Sequence, residues 1–253
     1  DGKEMPSHSK LNSPRNCYIC KKLYTEIHHY YDAMCKECGD FNYFKRFQHC
    51  DLSGQTALIT GARLKIGYQA TLKMLRSGAR VIATTRFPID AAIRFTKEED
   101  FKQWKNRLHI YGLDLRHIPS VEIFCRYFEN KYERLDLLLN NAAQTVRRPP
   151  GFFQHLMDTE KSGFNDLSPE VKLILKDYRE LTNTLLGHEV NSDHHSVQRL
   201  SWDHQQTGMG ITSSALLSQI PYALENSDAD QSIFPSGHLD VDLQQVDLRV
   251  TNS

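Results

Sequence analysis

The sequence predicts an α/β chain: a partial parallel sheet in strand order 3-2-1-4, helices on both its faces, and a small cysteine-stapled module in front of it. Three observations predict this. Between residues 54 and 145, short apolar runs alternate with amphipathic stretches, the pattern of βαβ units. A glycine-containing turn, Thr60-Gly61-Ala62-Arg63-Leu64-Lys65-Ile66-Gly67, joins the first apolar run to the first amphipathic stretch. Two close cysteine pairs, Cys17/Cys20 and Cys35/Cys38, precede both. The expected division is residues 1–50, a zinc-ribbon-like module; 51–145, the sheet; and 146–253, an insertion or tail, partly helical and partly irregular.

Each element has its own justification. Thr56–Thr60 is an apolar run closed by Gly61, a buried parallel strand. Ile66, Ala70, Leu72 and Leu75 recur at helical spacing up to Arg76, with Gly78 as the cap. Val81–Thr85 is the second strand. Thr96 and Glu99 read as a capping box that opens a helix running through Trp104. Leu108–Tyr111 is the third strand, and Val121, Phe124, Cys125 and Phe128 form one helical face. Leu135–Leu139 is the fourth strand. Right-handed crossovers then give the order 3-2-1-4. In the tail, Ser168 as N-cap and Pro169 at N1 start a helix. Its apolar stripe is Val171, Ile174, Leu175, Tyr178, Leu181 and Leu185, and Gly187 is its expected end. Ala215–Ile220 is a short apolar run before Pro221.

Composition narrows the functions. Lys plus Arg and Asp plus Glu are 31 each in 253 residues, so the zero formal net charge offers no global field for nucleic acid or a membrane surface. No apolar run approaches the ~18 residues of a membrane helix. Four of six cysteines sit in close pairs, which reads as metal binding in a reducing compartment, so an intracellular, cytoplasmic protein is expected.

A strand-to-helix turn leaves free backbone N–H groups at the helix start, and with the helix dipole they attract phosphate. Glycine lets the backbone approach that phosphate closely. A glycine turn alone is a weak signal; its context is stronger. The turn resembles the TGxxxGxG motif of the short-chain dehydrogenase/reductase family. Asp114-Leu115 follows the third strand, where that family places an acidic residue against adenine. Asn140-Asn141-Ala142-Ala143 follows the fourth and resembles the family's NNAG. The resemblance covers about residues 54–145.

It implies a Rossmann-like domain that binds a dinucleotide, NADP or NAD, for an oxidoreductase. The implied cofactor residues are Gly61, Arg63, Lys65, Ile66 and Gly67 at the phosphate turn, Arg86 at the ribose 2′-phosphate, Asp114 and Leu115 at the adenine, and Asn140 and Ala142 on the ribose side. Lys65 departs from the family's middle glycine: its stem can crowd a pyrophosphate, or its ammonium can contact one. Ala143 replaces the last glycine of NNAG. At the end of the second strand, Thr84, Thr85 and Arg86 stand where NAD-preferring members carry a carboxylate, which favours NADP.

The family's hydride chemistry needs a Ser and a Tyr-x-x-x-Lys, which place the acid/base and its lysine on one helix face. No Tyr-x-x-x-Lys occurs between residues 144 and 253, and a match at Tyr18–Lys22 lies inside a cysteine pair, where it reads as chance. No catalytic residue is therefore assigned. A half-sheet leaves its fourth strand as an open edge, so the chain is expected to be incomplete, or completed by a protein partner. A second reading of another class follows: a non-catalytic binding or scaffold protein that uses the half-fold and the cysteine module for interaction.

The spacing CxxC, fourteen residues, CxxC is that of a closed four-thiolate zinc site, so Cys17, Cys20, Cys35 and Cys38 are expected to hold structural zinc. His28, His29, His49 and Cys50 lie near but are not needed as ligands. The cations and aromatics of this module, Lys21, Lys45, Arg46, Tyr18, Tyr30, Phe41, Phe44 and Phe47 among them, are read as packing residues. Nucleic acid is not an expected partner. Asp193-His194-His195 and Asp203-His204 read as solvated loop.

Overall fold

The computed structural model describes residues 10–143, 148–189, 208–220 and 233–248. The histidine groups at 193–195 and 203–204 lie outside them. The chain forms two compact units, Asp1–Cys50 and Asp51–Ser253.

In the first unit, β1 (Lys10–Asn16) and β2 (Leu23–Glu26) pair antiparallel, and α1 (Lys36–Arg46) follows. The turn between the strands carries Cys17 and Cys20. It closes through Cys17 N–H to the Lys22 carbonyl (2.8 Å) and Lys21 N–H to the Cys17 carbonyl (3.0 Å), with Lys21 in the left-handed region at φ +63°. The second cysteine pair is built differently: Cys35 is the N-cap of α1 and Cys38 lies in its first turn. One cysteine pair thus comes from a hairpin and the other from a helix start. The module's aromatics correct the packing expectation. Tyr24 is buried, but Tyr18, Tyr30, Phe41, Phe44 and Phe47 are all more than half exposed.

In the second unit, β3 (Thr56–Thr60), β4 (Arg80–Thr85), β5 (Leu108–Gly112) and β6 (Leu137–Leu139) form one parallel sheet in the order β5-β4-β3-β6, which is the expected 3-2-1-4. Register runs Ala57↔Val81, Val81↔Leu108 and Ala57↔Leu137. Helices α2 (Lys65–Arg76), α3 (Pro88–Thr96), α4 (Phe101–Trp104) and α5 (Ile118–Lys131) connect the strands. Alternate residues of β4 serve opposite cores. Val81 and Ala83 join Leu72, Leu75, Phe95 and Trp104 on one face, while Ile82 joins Tyr111, Phe124 and Phe128 on the other. Burial on both faces is why these strands read as continuous apolar runs.

Beyond β6, helices α6 (Pro150–Glu160), α7 (Pro169–Ile174), α8 (Lys176–Glu189) and the short α9 (Met209–Thr212) pack onto this same body. Val171, Ile174 and Leu175 complete the first core, and Leu181 and Ile211 complete the second.

Several local expectations change. Thr96 ends α3 rather than opening a helix, and its hydroxyl donates back to the Ile93 carbonyl (2.9 Å). Pro88 at N1 starts α3 eight residues earlier, and Glu160 of α6 accepts from the N–H groups of Ile89 and Asp90. The cap comes from seventy residues away, which no local pattern reveals. Cys125 is exposed beside buried Phe124, Ile66 is exposed, and Gly187 lies inside α8. The fourth strand is shorter than expected, with Leu135 outside it.

Candidate functional site

The C-terminal ends of the parallel strands open onto a cleft of about 1320 Å³. Gly61, Arg63, Lys65, Ile66, Arg86, Asp114, Leu115 and Ala142 all line it; Gly67 and Asn140 do not. The structure thus gathers eight of the ten residues expected at the cofactor around one space.

The corner between β3 and α2 is fixed from two sides. Thr60 Oγ1 accepts from the N–H groups of Asn141 and Ala142, and Asn141 Nδ2 donates to the carbonyls of Thr60 (3.2 Å) and Gly61 (3.1 Å). The loop after β6 is thereby stitched to the end of β3. A β-carbon on Gly67 would lie 2.3 Å from the Gly61 carbonyl oxygen and 2.6 Å from Asn141 Nδ2, so only glycine lets turn, helix and loop meet. Gly61 itself takes φ +68°. No side chain caps α2: its N-cap is Leu64. A twelve-residue helix therefore presents its uncapped N-terminus at the cleft, the arrangement that attracts an anion.

Lys65 adopts φ +50° and its side chain turns outward, more than half exposed, to end 3.6 Å from the Asp242 carboxylate. Its stem does not plug the corner. Arg63, by contrast, is buried with its guanidinium 2.8 Å from Asp90.

At the far end of β4, Arg86 stacks on Phe153 (4.7 Å) and Phe87 (5.5 Å). Arg148 lies over Phe152 (4.9 Å) and pairs with Asp247 (2.8 Å). Both arginines line the cleft. Asp114 is 1% exposed, and its carboxylate accepts from Arg116 Nε at 2.8 and 3.0 Å and from the Arg116 N–H at 3.0 Å. Arg116 also donates to the Leu217 carbonyl (3.1 Å), and the Asp114 N–H donates to Gly210 (2.8 Å). Segment 208–220 therefore packs directly on the residues expected at the adenine.

Sequence reasoning missed the roles of Thr60 and Asn141, although both stood inside quoted motifs. It also missed Arg116, Arg148, Phe152, Phe153 and Asp242. The last four come from the insertion, whose packing no periodicity announces.

In the first unit the four sulfurs of Cys17, Cys20, Cys35 and Cys38 lie within 4.8 Å of one another, with Cys20 and Cys35 3.7 Å apart. A tetrahedron of Zn–S bonds of about 2.3 Å has edges of about 3.8 Å, so the donor set and its spacing fit zinc. His28 is engaged otherwise: Nδ1 accepts from the N–H groups of Tyr30 (3.1 Å) and Tyr31 (3.0 Å), and Nε2 is 3.4 Å from Asp40. Tyr18 is exposed, and Tyr18–Lys22 lies in the turn between β1 and β2 that carries Cys17 and Cys20.

Residues 55–164 match the family described as short chain dehydrogenase. An uncharacterized protein of Acanthamoeba polyphaga mimivirus is 38% identical over 164 residues, 63% of this chain and 34% of that protein. Human dehydrogenase/reductase SDR family member 13 is 35% identical over 94 residues, 36% of this chain and 24% of that protein. The chain thus spans about a third or less of these relatives. Among solved structures, a short-chain type dehydrogenase/reductase from Mycobacterium marinum is 22% identical, covers 54% of this chain and 53% of its own, and has a TM-score of 0.34. No helix among the described residues is long and apolar enough to cross a membrane.

Proposed function

Residues 55–164 being a segment of the short-chain dehydrogenase family, we propose that the chain carries the dinucleotide-binding half of an NAD(P)-dependent oxidoreductase, with NADP favoured over NAD. The observation that carries this is the uncapped start of α2, opening beside Gly61 onto a cleft large enough for a dinucleotide. The N–H groups of Lys65, Ile66 and Gly67 would hold the pyrophosphate. Asn140 and Ala142 would face the ribose, and Asp114 and Leu115 the adenine.

The residue that follows β4 is Arg86 rather than a carboxylate, and Arg148, paired with Asp247, lines the same cleft. The Arg86 guanidinium suits a ribose 2′-phosphate, because it presents a planar fork of donors to the phosphate oxygens. When bound, the dinucleotide supplies hydride transfer. The residues of this chain bind and orient it, and in this reading the Ser and Tyr-x-x-x-Lys that move the proton are supplied outside the matched segment. Cys17, Cys20, Cys35 and Cys38 would hold a structural zinc with no open coordination position.

Calorimetric titration with NADPH and NADH tests the reading. NADPH is expected to bind saturably and more tightly than NADH, and Arg86→Ala to erase that difference. A chain that binds neither dinucleotide at millimolar concentration refutes it.

A further inference from the structure

We propose that Lys65 and Asp242 form a latch that closes the insertion over the phosphate corner, and that a dinucleotide's pyrophosphate enters by displacing Asp242 from Lys65. The inference rests on the dinucleotide reading above and adds the insertion's part in it.

Lys65 sits in the left-handed region, φ +50°, where a β-carbon is disfavoured and glycine is at ease. Lys65 is the first residue of α2, its ammonium is more than half exposed, and 3.6 Å from it is the Asp242 carboxylate. That carboxylate is carried on a preformed arm. Asp240 Oδ1 accepts from the N–H groups of Asp242 and Gln244, both at 2.9 Å, and the Asp240 N–H donates to the Gln244 carbonyl at 2.8 Å. At the base of the arm Gln245 is buried, its amide donating to the carbonyls of Pro235 (2.9 Å), His238 (3.2 Å) and Val246 (3.2 Å). Arg94 of α3 holds the arm from outside, donating to the Asp242 carbonyl (3.0 Å). The arm therefore holds a carboxylate at the ammonium of the first residue of α2.

Asp240, Gln244 and Gln245 share the cleft lining with Gly61 and Ile66, so arm and phosphate turn face one space. A pyrophosphate at that turn would bring more negative charge than Asp242 within reach of the Lys65 side chain. Lys65 can satisfy the stronger anion, and the two anions repel at short range. An exposed lysine–carboxylate pair is weakly held, so the exchange is a small one, as a latch requires.

The test uses NADPH and inorganic pyrophosphate against the whole chain, in low salt, with the wild type and the Asp242→Asn, Asp242→Ala and Lys65→Met variants. Removing the competing carboxylate is expected to tighten NADPH and pyrophosphate binding about three- to tenfold, and Lys65→Met to weaken it by about the same factor. Independently of affinity, hydrogen exchange of the wild-type amides in 239–247 should speed up when NADPH is added, as the arm leaves Lys65. Equal or weaker binding by both Asp242 variants, or slower exchange in the arm on adding NADPH, overturns the latch while leaving the dinucleotide reading standing. Absence of binding by every form overturns both.

Discussion

Thr60 Oγ1, at the end of β3, lies 3.0 Å from the backbone nitrogen of Asn141, in the loop after β6, and 3.0 Å from that of Ala142. One hydroxyl therefore accepts from two N–H groups just past the ladder, the Asn141 one shared with the Leu139 carbonyl at 3.0 Å. Thr60→Val keeps the shape and removes the acceptor. Only the Ala142 N–H, at an exposed residue, then loses its partner, so the cost should be about 0.5–1.5 kcal/mol. Thermal unfolding should show the loss, Thr60→Ser should recover most of it, and a valine variant as stable as the wild type would contradict the role given to this hydroxyl.

Gly67 is the tightest point of the corner. Its missing β-carbon would stand 2.3 Å from the Gly61 carbonyl oxygen, which is backbone and cannot swing aside. Gly67→Ala should therefore push α2 off the turn and cost on the order of 2–4 kcal/mol. Gly54→Ala is the comparison. It has positive φ, +76°, which Gly67 does not, but its β-carbon would meet nothing within 4 Å. It should cost only about 1 kcal/mol. Equal destabilisation of the two variants would show that close approach is not what Gly67 provides.

The contrast between these positions explains what was legible in the sequence. The strands were visible because each is a continuous apolar run, and their order followed from crossover handedness. The phosphate turn was visible because its glycines are spaced by the geometry of one strand-to-helix corner. The start of α3 was not visible, because its cap is Glu160, seventy residues away in sequence. Thr96 and Glu99 imitated a capping box by spacing alone. Lys65 was recognised as a departure from glycine, but its partner Asp242 lies in a polar stretch with no periodicity. Contacts made by irregular segments leave no repeating pattern to read. The exposed aromatics of the first unit were misjudged for a related reason: composition counts apolar residues but does not say which ones the small module can cover.

Glu160 should make stability depend on pH. Burial, set against the N–H groups of Ile89 and Asp90, pushes its carboxyl up to about 7. A glutamate in the unfolded chain releases its proton near pH 4.3. Between those values the folded chain holds more protons, so the contribution is complete below about pH 4.3 and is lost as pH rises through 7, at most about 4 kcal/mol in all. Glu160→Gln mimics the protonated form. It should melt above the wild type at pH 8 and close to it near pH 5, and parallel melting curves for the two across this range would sink the assignment.

The four-cysteine cluster makes a prediction confined to one unit. Asp1–Cys50 is too small to build a core of its own, and five of its aromatics face solvent. Its order should therefore depend on the metal: zinc sites of this kind fold the segment that ligates them. Elemental analysis should find about one zinc per chain. Cys20→Ser or Cys38→Ser should lower it, and a strong chelator should release the ion. Hydrogen exchange should then rise across residues 10–50 while the strands of the second unit, with buried Val81, Ile82 and Ile110, keep their protection. His28→Ala is the complementary variant. Because its ring nitrogens face the Tyr30 and Tyr31 N–H groups and Asp40, it should loosen the module without removing the metal. Metal content that falls with His28→Ala but survives Cys38→Ser would reverse the ligand assignment, and a metal-free first unit that keeps its exchange protection would end it.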